Sequence, residues 1–216
     1  MQQVSATRVP PLPRLAQPLP RAGVVGASRL ALRQYLMDYE RDLAGSFRDG
    51  APIAEVIAAR TAAVERVLAH VWFGWMGETP DAALLAVGGF GRGELFPHSD
   101  VDLLVLTVAQ PEPRVLRAIE AFAACLWDVG LKPGMAVRDA GACFALAEQD
   151  LSVYTSLLDA RHLDGSRLLS VALLESGQES TRWTAPEFLV AKGGEQEARH
   201  QRYGDTAYNL EPQLKE

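Results

Sequence analysis

Cysteine is scarce. Cys125 and Cys143 are the only two in 216 residues, and both lie in apolar helical patterns. A disulfide framework or a cysteine-built zinc site is therefore not expected, and two buried free thiols are. The four histidines, His70, His98, His162 and His200, show no paired metal-ligand spacing. An excess of positive charge is also missing. The chain carries 21 Lys and Arg against 27 Asp and Glu, a net charge of −6. A nucleic-acid binder normally presents a basic face, so no nucleic-acid partner is expected. A nucleotide substrate stays open, because its charge can be met by a metal and by local N–H groups. No run approaches the length of a membrane span. The first residues carry prolines at 10, 11, 13, 18 and 20 and lack the apolar run of a signal peptide. No membrane partner is expected, and the cytoplasm is the expected compartment. No internal repeat is visible.

What is present is a chain with 48% hydrophobic residues, long enough for one good-sized domain with helical additions. Its organising stretch is Leu84 to Leu106, LLAVGGFGRGELFPHSDVDLLVL. An apolar run ends at Gly88-Gly89. A polar loop follows with Arg92, Gly93, Glu94, His98 and Ser99. A second apolar run then holds Asp100 and Asp102 on either side of Val101. Short apolar runs bounded by Gly and Pro read as buried strands. Residues two apart on a strand face the same side.

Two carboxylates on one face of a strand, about 7 Å apart, repel unless a cation lies between them. Mg2+ is commonly held by one or two carboxylates plus substrate phosphates. Glycines let backbone approach a ligand closely, and N–H groups in a turn form an anion-binding nest. The bland alternative is a Gly-Gly turn and an Asp at a strand end. The ordered combination favours a metal–nucleotide site, with Asp100 and Asp102 as metal ligands and Gly88 and Gly89 against the triphosphate.

Val87-Gly88-Gly89, ten residues, then Asp100-Val101-Asp102-Leu103 resembles the DNA-polymerase-beta-like nucleotidyltransferase superfamily. The fuller string GGFGRGELFPHSDVDLLVL resembles the N-terminal domain of bacterial PII uridylyltransferase/uridylyl-removing enzymes. The string RHQRYGDTAYNLEP, residues 199–212, resembles the segment that follows that domain. The resemblance implies an α+β fold, a small mixed sheet packed on helices with flanking N- and C-terminal helices. It implies two Mg2+ ions, UTP as nucleotide donor, and a tyrosine of the PII nitrogen-regulatory protein as acceptor. Uridylyl removal belongs in the family to a separate histidine–aspartate metal domain. No His-Asp dipeptide occurs here, so that activity is not expected. The glutamine-sensing domains and other downstream domains are expected to be missing too.

Residues 1–23 read as a disordered or extended Pro-rich arm. Residues 24–77 read as a helical pair, the first helix capped by Ser28 and ending near Gly50, the second opening at Pro52. Trp72, Phe73 and Trp75 at its end suggest either base stacking or, more simply, core packing. Residues 78–180 read as the nucleotidyltransferase core. In it, Pro111 and Pro113 open a helix that Gly130 ends, and Leu131–Asp139 forms a third strand. Helices are expected over Ala140–Glu148, Leu151–His162 and Ser166–Ser176. Residues 181–216 read as a polar C-terminal helix from Thr184 towards Tyr203, leading to the missing domains.

The superfamily places a third carboxylate on the third strand, and Asp139 is the candidate; the other reading is an N-cap for the next helix. Arg138 either meets a phosphate or forms an ion pair. Where the family reads Gly-His-Ser-Val-Arg-Thr, this chain has Gly134-Met135-Ala136-Val137-Arg138-Asp139. Arg92 and Ser99 are candidate phosphate contacts. The rival readings are another nucleotidyltransferase of the superfamily and a nucleotide-binding regulatory domain without chemistry.

Overall fold

The computed structural model describes residues 9–15, 26–179 and 183–202. Two long helices come first, α1 (Gly26–Arg48) and α2 (Ile53–Met76). Pro52 is the N-cap of α2, where its fixed φ and missing N–H cost nothing. Helix α1 begins ahead of the expected cap, so Ser28 lies inside its first turn. Strand β1 (Ala82–Ala86) leads into a single helical turn, α3 (Gly88–Gly91), and then into β2 (Val101–Thr107). Helix α4 (Pro113–Val129) crosses to β3 (Pro133–Asp139) and ends at Gly130, whose φ of 93° is the left-handed cap that glycine supplies.

Two short helices follow, α5 (Ala140–Ala147) and α6 (Leu151–Leu158), then β4 (Arg161–Gly165), α7 (Arg167–Glu179) and α8 (Ala185–Arg202). Strand β4 corrects the expected helix over Leu151–His162, which stops at Leu158. Thr184 and Glu187 open α8 with a reciprocal cap: the Thr184 N–H donates to Glu187 Oε2 at 3.0 Å, and the Glu187 N–H to Thr184 Oγ1 at 3.5 Å.

The sheet order is β3-β2-β1-β4, with β1 antiparallel to both neighbours and β2 parallel to β3. Helices cover both faces, so the central strands are apolar on both sides. One face carries Ala82, Leu84, Val101, Leu103 and Val105 and packs on α1, α2 and α4. Trp72 is fully buried there, edge-on to Phe122 with ring centroids 5.2 Å apart. That geometry makes Trp72 a core residue and removes it as a base-stacking platform. The other face carries Ala83, Leu85, Leu104 and Leu106 against α5, α6 and α7. Cys143 and Cys125 are buried free thiols, as their patterns implied.

Part of the N-terminal arm is docked. Val9 and Leu12 pack beside α1 and α2. Tyr39 donates to the Pro10 carbonyl at 2.9 Å, and Arg66 to that of Pro13 at 2.9 Å. The string at 203–212 lies outside the described residues.

Candidate active site

Asp102 is the second residue of β2 and stands opposite Gly134 of β3. Its carbonyl accepts the Val87 N–H at 3.1 Å, which ties the start of the glycine turn to the strand. The carboxylate is walled by two glycines. A Cβ on Gly134 would lie 2.7 Å from Asp102 Oδ1, and one on Gly88 would lie 3.3 Å from Oδ2. Gly88 also has φ +58°, a left-handed conformation that glycine adopts without cost. The sequence thus leaves a slot on both sides of one carboxylate. Asp100 lies one residue ahead of β2 and is exposed.

The slot opens into a cavity of about 420 Å³, with Gly88, Asp102 and Gly134 at one end. Val87, Leu104, Ala136 and Leu157 supply apolar wall, while Arg138, Ser152 and Ser156 supply polar groups. Apolar lining with a few placed polar groups, at this volume, is the usual make-up of a small-molecule pocket. Arg138 is therefore brought to the same cavity as Asp102. Register explains it: Gly134, Ala136 and Arg138 alternate onto one face of β3.

Asp139 is not brought there. It lies opposite Thr107, five residues up β3 from Gly134, or roughly 16 Å at the rise of a strand. Its Oδ1 accepts the Ala142 N–H at 2.9 Å and caps α5. The parity of the strand and the pull of the helix end place it there, so the expected third carboxylate is an N-cap. Among the described residues no group of three or more His, Cys, Asp or Glu could hold a metal.

Arg92 is turned away from the cavity towards α6. It pairs with Glu94 at 3.0 Å and with Asp159 at 2.5 Å, and these two hydrogen-bonded carboxylates raise its pKa. Ser99 lies in a turn, its N–H donating to the Phe96 carbonyl at 3.1 Å. It lines a different cleft, on the other side of the sheet. Gly89 accepts the Glu94 N–H through its carbonyl at 2.9 Å and closes the turn.

The sequence gives little sign of what holds the turn from behind. Arg161 of β4 donates through Nε to the Gly91 carbonyl at 3.0 Å and through Nη2 to the Phe90 carbonyl at 3.2 Å. Glu65 of α2 holds the same guanidinium at 2.6 Å. Gly91 packs so closely that a Cβ would lie 2.0 Å from the Asp159 carbonyl oxygen. A strand reading RHLDG has no apolar alternation to mark Arg161 as the holder of this turn. Ser152 and Ser156 had a plainer sign, four residues apart on one helix face.

Residues 74–137 match the family model described as a nucleotidyltransferase domain. This interval holds both glycines, both aspartates and Gly134. Relatives named bifunctional uridylyltransferase/uridylyl-removing enzyme align over most of the chain. One from Pseudomonas putida is 44% identical over 78% of this chain and 19% of its own length. One from Pseudomonas fluorescens is 40% identical over 90% of this chain and 21% of its own length, and one from Pseudomonas aeruginosa is 39% identical over the same shares. The chain thus spans about a fifth of the length of these curated relatives. The small four-stranded mixed sheet with its helices agrees with the polymerase-beta-like nucleotidyltransferase fold.

Proposed function

We propose, for a chain whose residues 74–137 match a nucleotidyltransferase domain, that it transfers UMP from UTP to a tyrosine of the PII nitrogen-regulatory protein. The observation that carries this reading is the Asp102 slot. A carboxylate held between Gly88 and Gly134, next to a cavity with Arg138, suits a metal-bound triphosphate. The relatives' printed name supports uridylyl as the group moved. The tyrosine acceptor rests on the family resemblance.

In this reading the tyrosine oxygen bonds to the α-phosphorus of UTP. The bond from that phosphorus to the bridging oxygen breaks, pyrophosphate leaves, and the phenolic proton passes to water. Asp100 and Asp102 would hold Mg2+, whose oxygen-seeking charge neutralises the triphosphate. The residues fit that ion in part: the glycine walls leave room for substrate oxygens beside the carboxylate. With Asp139 occupied as a helix cap, a second ion would have to be held by substrate phosphates and water rather than by a third carboxylate. Gly88 and Gly89 place backbone beside the phosphates. Arg138, and the Ser152 and Ser156 hydroxyls, face the nucleotide from the cavity wall. Arg92 acts from behind, joining the turn to Asp159, and Ser99 belongs to the acceptor side.

Uridylyl removal is assigned to no residue of this chain. No helix among the described residues is long and apolar enough to cross a membrane, and the cytoplasm is the compartment we assign. A nucleotide-binding regulatory domain is the second reading, favoured by the displaced Asp139. Calorimetry with UTP, ATP, CTP and GTP, with and without Mg2+, tests both. UTP preference that needs Mg2+, with pyrophosphate released on adding PII protein, supports transfer. Triphosphate binding without pyrophosphate release would leave the regulatory reading, and no triphosphate binding would sink both.

A further inference from the structure

A second cleft, of about 710 Å³, opens on the other face of the sheet, between α1, α2 and the segments that lead into β2 and β3. Its lining includes His98, Ser99 and Val101, which bracket Asp100. The two cavities therefore reach the start of β2 from opposite faces of the sheet, one lined by Val101 and the other by Asp102. Leu36, Leu43, Val56 and Val64 give the cleft an apolar floor. Met37, Phe47 and Ile53 line it while 51%, 52% and 50% exposed. An apolar surface of this kind on a chain that is 22% charged marks an interaction site more often than chance placement.

The charges of the cleft run against the chain. Acidic residues outnumber basic ones overall, 27 to 21. In the cleft Arg33, Arg41, Arg60 and Lys132 face Glu40 alone. Arg41 pairs with Asp38, and Arg60 with Glu40. Arg60 still has a buried Nε with no hydrogen-bond partner among the described residues. Arg33 and Lys132 are exposed on its lip and form no ion pair among the described residues. The lining runs along α1 from Arg33 to Phe47, about 21 Å at 1.5 Å per residue. That length suits about six residues of extended polypeptide. His98, in the lining beside Asp100, has φ 62°, a conformation rare outside glycine and concentrated at functional sites.

We propose that this cleft receives the acceptor protein, as a polypeptide segment with acidic side chains for Arg33, Lys132 and Arg60 and apolar ones for the α1–α2 groove. Its hydroxyl-bearing residue is delivered at the His98–Ser99 end, across the Asp100–Asp102 segment from the nucleotide. The inference rests on the transfer reading and adds where the second substrate binds. A transferase that holds its nucleotide on one side of the carboxylates must admit the acceptor from another.

The test is direct binding of PII protein to this chain by calorimetry, which needs no turnover, with UTP binding measured on the same samples. Arg33→Glu/Lys132→Glu and Met37→Asp are exposed-site variants whose melting should match the wild type. Each is expected to weaken PII binding at least tenfold and leave UTP binding unchanged. Added salt should weaken wild-type binding more than that of the charge-reversed variant. Equal PII binding by wild type and both variants overturns the cleft assignment, as does wild-type UTP binding with no PII binding. Loss of UTP binding in the wild type is a failure of the transfer reading itself and is read separately. If the variants bind PII weakly but also melt early, the reciprocal acidic-to-lysine changes on PII decide, since they must restore binding to the charge-reversed variant.

Discussion

Asp102 holds the space that a side chain on Gly134 would need: its Oδ1 is 2.7 Å from where that Cβ would stand. The clash is with the end of a side chain, not with backbone. Gly134→Ala should therefore fold normally and push the carboxylate out of place. A displacement of about 1 Å can cost about 100-fold in rate, so transfer should fall by that order with the melting temperature nearly unchanged. Transfer assays and thermal melts on one preparation check it, and an unaltered rate would count against Asp102 as the metal ligand.

Asp102 and Asp139 should separate cleanly. Asp102→Asn should lose Mg2+-dependent UTP binding, as should chelation of the metal in the wild type. Asp139→Ala removes the cap of α5 and should cost about 1 kcal/mol of stability, with UTP binding unchanged. Urea melts beside calorimetry distinguish them. Lost UTP binding in Asp139→Ala would restore it as a ligand.

Arg161 and Glu65 should behave as one unit. Arg161→Ala frees the Phe90 and Gly91 carbonyls and leaves Glu65 without its partner. UTP affinity should drop, and Arg161→Lys should recover only part of it, because a lysine cannot donate in the planar fork that spans two carbonyls and a carboxylate. A double-mutant cycle with Glu65→Gln should give a coupling of about 0.5–3 kcal/mol. Strict additivity would mean that the clamp does not act through the pair.

Burial pushes the Cys143 thiol up to about 11. The native state then keeps its proton where the unfolded chain releases it, so stability should fall as pH rises from about 9 towards 11. Burial, helped by the nearby Arg167 charge, pushes His162 below its ordinary range. For a base the sign reverses: its contribution is present above the unfolded value and is lost as pH falls through about 6.5 and below. Melts across pH, with thiol-reagent labelling at pH 8 as a second readout, check both. Cys143 should label only on unfolding, and rapid labelling of the native chain would contradict its burial.

The central strands and long helices were legible because their signals are local and redundant. Ala82–Ala86 and Val101–Thr107 are apolar runs between turn residues, and Gly130 sits where a helix needs a left-handed stop. Asp102 could be picked out because two motif halves lie close in sequence. Asp139 could not be settled, since a strand end and a helix cap fall on the same residue. The Arg161 clamp was invisible for a different reason. Its partners lie 70, 71 and 96 residues away, and no periodicity reports such a distance. Gly134 was one residue within the expected third strand; only pairing with Asp102 gives its missing side chain a purpose.

The reach of the clamp has a consequence for how the chain acquires its shape. The glycine turn is made well before its clamp: Arg161 follows Gly91 by 70 residues. Loop closure over that span must be met before the carbonyls of Phe90 and Gly91 gain their donor. A growing chain on the ribosome can hold the β1–β2 hairpin yet not a fixed turn. Until β4 arrives, β1 is also an open edge made wholly of apolar residues, the kind of edge that pairs with other chains. Nascent protein should thus be most prone to aggregate, and unable to hold nucleotide, over the same interval of synthesis.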